Sequence, residues 1–190
     1  MTRYQVFLYV HIAAATIWVG GATMLQFMAM RARTRGIEGL VAFGSDVSWI
    51  GKRLLGPASL AVIGAGVGMV LASPLSFSDD WITIALILVA TAYALVIGVM
   101  EPLSDQIREA LAAGDVETAL ARGKLQTIVS RIELGVLFLI VFDMALKPTF
   151  ADHGVLVLGI GGFAIATLAI LWNARTFARG PRPVPALDAA

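Results

Sequence analysis

Cysteine is absent from the 190 residues. That excludes disulfides, thiolate metal sites and cysteine nucleophiles. Charge is scarce: 14% of residues are Asp, Glu, Lys or Arg, against about 25% in a soluble domain. The net charge of +1 makes no case for a nucleic-acid partner. No long polar linker divides the chain, and no glycine-rich loop sits between a strand pattern and a helix pattern. Nucleotide-binding, kinase and hydrolase motifs are therefore missing.

What is present is apolar sequence. Hydrophobic residues make up 58% of the chain, and the mean hydropathy is +0.84. This composition predicts an all-α, polytopic membrane bundle, one domain over residues 1–177 with a disordered cytoplasmic tail over 178–190. Five spans are expected, over residues 4–30, 54–72, 81–100, 128–147 and 155–172. The first is too long for the core of a cleaved signal peptide. An amphipathic helix from Ile37 to Ser48 is expected to lie on the membrane surface, with Leu40, Phe43 and Val47 on one side. Pro57 falls in the first turn of the second span, and Pro102 is expected to end the third just after Glu101. Leu103 to Ser130 reads as a solvated hairpin, broken at Gly114 with Asp115 as a cap. Gly64 and Gly68 offer a small face for helix packing.

Five spans place 12 of the 14 basic residues on one side, leaving Arg3 and Lys147 opposite. The positive-inside rule then puts the N-terminus outside and the tail in the cytoplasm of a bacterial inner membrane. The first, second and fourth spans should form the core, with the fifth peripheral.

One ionisable residue lies deep in the first span: His11. Such a group faces a protein interior or cavity rather than lipid. Ala14, Ala15 and Trp18 share its face at helical spacing. A flat ligand can rest on that face with the imidazole as axial donor. Equally, the small residues admit a neighbouring helix, and His11 hydrogen-bonds across the gap. The fourth span carries Glu133, Asp143, Met144 and Lys147. Asp143 lies four residues before Lys147, an order that favours an ion pair. His11, Asp143 and Met144 come out at similar depth, so His11 is expected to approach Asp143 and Met144.

The blocks Val10–Gly21, Trp49–Ser59 and Met144–Pro148 resemble a family of bacterial integral membrane proteins catalogued as a domain of unknown function. The first and last blocks are also similar to the membrane protoporphyrinogen oxidase family, which binds haem b in a helical bundle, and to the copper-resistance D family. The resemblance implies that His11 is a haem ligand and that Lys147 meets a substrate or propionate carboxylate. Two functions follow as expectations. One is a haem-b-binding redox protein, with His11 and Met144 on the iron, Ala14, Ala15 and Trp18 against the ring, and Glu133 and Asp143 as buried polar groups. The other is a non-enzymatic membrane protein: a metal-handling or assembly factor, or a subunit of a larger complex. The expected partners are the lipid bilayer and either another membrane protein or a second copy of the chain. The soft-ligand candidates Met24, Met28, Met30 and Met69 share no clear face.

Overall fold

The computed structural model describes residues 1–177, the side chains of residues 37 and 173–177 excepted. The expected tail, 178–190, lies outside the described residues. Helices α1 (Arg3–Arg33), α2 (Gly36–Ile50), α3 (Gly56–Leu71), α4 (Asp80–Leu95), α5 (Glu101–Ala112), α6 (Val116–Leu146) and α7 (His153–Phe177) account for nearly all of them. A reciprocal cap starts α1: Thr2 Oγ1 accepts the Gln5 N–H, and Gln5 Oε1 accepts the Thr2 N–H.

Neither the surface helix nor the third span stops where the sequence suggests. A π-turn at Gly51–Leu55 joins α2 to α3, and another at Val96–Met100 joins α4 to α5. Each ends two residues before a proline, Pro57 or Pro102. A proline in a running helix lacks the N–H for the carbonyl four residues back and its ring clashes with that carbonyl, here Arg53 and Gly98. The wider turn bonds Gly56 N to Gly51 O, and Glu101 N to Val96 O, and carries the chain past the obstacle. Pro102 therefore sits inside a continuous helix rather than ending one.

The bundle is two antiparallel pairs. Helix α3 returns along α1, and α6 returns along α4. The α1–α3 pair is tight at glycines: a Cβ built at Gly68 would lie 2.7 Å from the Phe7 ring, and one at Gly21 would lie 2.5 Å from Leu55 Cδ2. Gly64 meets nothing within 4 Å, so the small face rests on Gly66 and Gly68 rather than on Gly64. Gly68→Ala should overpack this seam and cost about 1–3 kcal/mol. Gly64→Ala should leave the melting temperature in detergent within error of the parent.

Ala14, Trp18 and Ala22 of α1, Ala58 and Val62 of α3, Ala92 of α4, and Val136 and Leu137 of α6 form one core cluster. The third span is thus a full member of the core, which was expected from the first, second and fourth alone. Its small residues Ala85 and Ala92 let α6 come close. Helix α7 is peripheral, its backbone packing only on α6 among the described residues. It docks through Phe163 over Gly135 and through Phe142 under Gly159.

Among the described residues, four helices are long and apolar enough to cross a membrane: Arg3–Arg33, Glu38–Leu71, Asp80–Ala112 and His153–Trp172. The fourth expected span, on α6, carries Arg131, Glu133 and Asp143 within its apolar half. Glu133 and Asp143 are both buried in the bundle, so these charges face protein.

The α5–α6 turn follows the sequence reading. Gly114 takes φ +74°, and Asp115 Oδ1 accepts the Thr118 N–H at 3.0 Å. That bond, from the first turn of α6, holds the Asp115 carboxyl below the usual range. Its contribution is complete above the ordinary aspartate pKa of about 3.9 and is lost as pH falls through the lower folded value. Amide exchange at Thr118 should therefore quicken on acidification, relative to an Asp115→Asn protein whose cap does not titrate.

Candidate functional site

His11 is half-buried on α1, and its Nδ1 lies 2.8 Å from the Val62 carbonyl oxygen of α3. A carbonyl only accepts, so Nδ1 carries the proton and donates. Nε2 is then the ring's lone-pair nitrogen. Gly66 makes room for this: a Cβ there would stand 3.4 Å from His11 Cε1 and 3.5 Å from Nδ1. The expected partner, Asp143, is not used. It is 2% exposed, and neither of its oxygens has a hydrogen-bond partner. The α1–α3 seam is the tighter one, so the ring meets the α3 backbone before it reaches α6.

The level of Asp143 follows from two anchors. Lys147 Nζ sits 5.0 Å above the Trp81 ring centroid. Four residues back along α6, and four on along α4, Asp143 comes level with buried Ala85. Gln26 Nε2 donates to Ser130 Oγ at 3.2 Å, which fixes α1 against α6. By that register His11 lies within about one helical turn of Asp143 and Met144 in depth. Met144 is half-buried at this level.

The expected Asp143–Lys147 ion pair is not formed among the described residues. Lys147 adopts a left-handed conformation, φ 46°, as the last cap of α6. This turns its side chain out of the i, i+4 register on which the expectation rested. The ammonium goes instead to the face of Trp81, a cation–π contact. The following loop closes the same end of the bundle. Phe150 N donates to Asp80 Oδ2 at 2.8 Å, and Asp152 accepts from Thr149 N and Oγ1. Those two bonds lower the Asp152 pKa, with a smaller contribution from His153.

Ala14 and Trp18 are inside the core cluster, and Ala15 packs against it. The face assigned to a flat ligand is thus already covered by α3, α4 and α6. Trp18 instead meets Tyr93, ring centroids 6.2 Å apart and tilted by 55°. The Tyr93 hydroxyl reaches Ser59 Oγ at 2.7 Å. Ser59 gives its one proton to the Gly56 carbonyl, 2.8 Å away, so Tyr93 is the donor of that bond. Ser59 and Tyr93 were not singled out from the sequence. A serine two residues after Pro57 and a tyrosine in an apolar span are the only signals they give.

Glu133, 8% exposed, lies on α6 toward the other end. Ser130, one turn before it, is bonded to Gln26, and Gln126 Nε2 donates to Ser104 Oγ at 2.6 Å. Among the described residues no three His, Asp or Glu side chains gather as a metal site. Among the described residues His11 therefore stands apart from any cluster of candidate metal ligands.

No curated protein and no solved structure matches this chain. Residues 5–148 match the family model described as predicted integral membrane protein (DUF2269). That match spans most of the sequence and includes the His11 helix, both π-turns and α6 through Lys147, so the chain belongs to this family of integral membrane proteins.

Proposed function

We propose that this protein binds haem b, or a closely related ring, through His11 Nε2 in the outer half of a five-span bundle. It would lie in a bacterial inner membrane with its N-terminus outside. The carrying observation is the Nδ1–H bond to Val62. A backbone carbonyl on one ring nitrogen is the usual support for a histidine whose other nitrogen binds metal, because it fixes the tautomer and raises ligand basicity. When bound, the haem supplies one-electron chemistry. The chain's own residues hold it: His11 as donor, Val62 as orienter, and Met144 as the second donor nearest in depth. Lys147, exposed at the end of α6 beside Trp81, suits a propionate or a substrate carboxylate. Ala14 and Trp18 do not fit as a platform, since the packed core already covers them.

That covered face favours a second reading, a bundle without a ring that serves as an assembly factor or as a subunit beside another membrane protein. An absorption spectrum of protein purified in detergent from haem-replete cells decides between them. A Soret band that shifts on dithionite reduction supports the first reading. No band supports the second.

A further inference from the structure

The end of the bundle opposite Lys147 is unevenly charged. Arg31, Arg33, Arg35, Lys52 and Arg53 stand against the acids Glu38 and Asp46 in one stretch, and Arg122, Lys124 and Arg131 follow without an acid between them in another. Helix α5, in contrast, carries Glu101, Asp105 and Glu109, and its Arg108 is paired with Asp105. An anion is therefore drawn to the α1, α2 and α6 side of this end rather than to α5. Two contacts give the depth. Gly21 meets Leu55, so Arg53 and Lys52 come level with Thr23 and Met24 on the antiparallel α1. Arg3 stands about 32 Å from that level, close to the thickness of a bilayer core. Arg53 lies 5.1 Å from the centroid of the exposed Trp49 ring, an aromatic of the kind that marks the headgroup layer. Gln26, bonded to Ser130, brings Arg131 of α6 to the same level.

Two of these cations meet at the α1–α6 seam. Arg33 follows Trp18, Ala22 and Gln26 at helical spacing, so it continues the inward face of α1. Side chains lean toward the N-terminus of their helix, which carries the Arg33 guanidinium back along α1 toward the headgroup level. Helix α6 runs the other way, so Arg131 leans toward Arg33. Both are half-buried, and the Arg131 charge opposes that of Arg33. Two like charges in a partly dry seam repel, and an anion between them offsets that repulsion. Both side chains also interact within the bundle, and five N–H donors on each leave several for a further partner. A guanidinium fork matches the oxygens of a phosphate. Met24 and Phe27, exposed and three residues apart on α1, give an acyl chain an apolar surface beside the seam.

We propose that the α1–α6 seam at Arg33 and Arg131 binds the phosphate of an anionic phospholipid. Basic pockets between membrane helices bind headgroups in this way. A free phosphate presents the same oxygens, but it makes no use of the headgroup depth or of Met24 and Phe27. The inference is independent of whether a ring binds His11.

The test uses the whole chain in a nonionic detergent, with bound lipid counted by native mass spectrometry. Wild-type protein should bind phosphatidylglycerol about 30-fold more tightly than phosphatidylcholine, at about 1 kcal/mol for each of two arginines. Arg33→Gln and Arg131→Gln should each weaken phosphatidylglycerol binding about fivefold. Arg122→Gln removes an exposed cation further along α6 and should leave the affinity within about twofold. Arg33→Lys and Arg131→Lys, which keep the charge, should bind more tightly than the glutamine variants, separating lost charge from misfolding. Equal affinity of the wild type for the two lipids overturns the proposal, as does a loss in Arg122→Gln as large as that in Arg33→Gln. Inorganic phosphate that displaces phosphatidylglycerol at equal concentration overturns the assignment to a lipid.

Discussion

Protein carrying His11→Ala should purify as a folded bundle with no Soret band, under conditions where the parent shows one. The two halves of this result have separate causes. His11 is the single imidazole in the bundle, because His153 starts α7 outside the core. Losing it removes the axial donor outright. The structural cost is small, because the Val62 carbonyl already belongs to the α3 ladder and is not orphaned when the imidazole leaves. A lost bond of this kind costs about 0.5–1.5 kcal/mol. His11→Ala protein that keeps the parent's full absorbance would remove the haem assignment from this residue. A collapse of the fold would show instead that the Val62 bond holds the α1–α3 seam.

The second large effect is on stability. Trp18→Ala should lower the unfolding free energy by about 3–5 kcal/mol, the range for a buried aromatic cut back to alanine. Trp18 is 9% exposed and lies in the cluster that joins α1, α3, α4 and α6. Its ring is also the neighbour of Tyr93, so the cut leaves a void beside the Tyr93–Ser59 bond. Trp18→Phe should recover more than half of the loss. Denaturant titration in detergent, followed by the melting of helical signal, measures both. A loss below 1 kcal/mol in the alanine variant would mean that this cluster does not hold the two helix pairs together.

Much of this architecture was legible before the structure. Long apolar runs announce helices whatever their packing, and the Gly114–Asp115 turn and the peripheral α7 followed from caps and from the absence of polar groups. The partner of His11 was not legible. It is a backbone carbonyl, and every residue has one, so side-chain inventory drew attention to Asp143 instead. Lys147 misled for a related reason. The i, i+4 rule assumes that both residues are helical, and the rule does not register that Lys147 leaves the helix with φ 46°. The role of the third span was hidden because alanines such as Ala85 and Ala92 pack closely without any polar or aromatic mark.

The two π-turns have a consequence for the phase of their helices. Each adds one residue to a turn, and one residue is worth about 100° of rotation. A helical wheel drawn through Gly51–Leu55 therefore misplaces every side chain beyond it. The Leu40, Phe43 and Val47 stripe of α2 is out of step with the Val62, Ala65 and Gly66 face of α3, although one continuous helix carries both. The same offset separates α4 from α5. A chain that lost Pro57 would no longer need the wide turn and would relax to an unbroken α-helix. It would then have to lose one residue between Gly51 and Gly56 as well, or His11 would meet the wrong face of α3. Proline and spare residue are thus a matched pair at each site, to be kept or removed together.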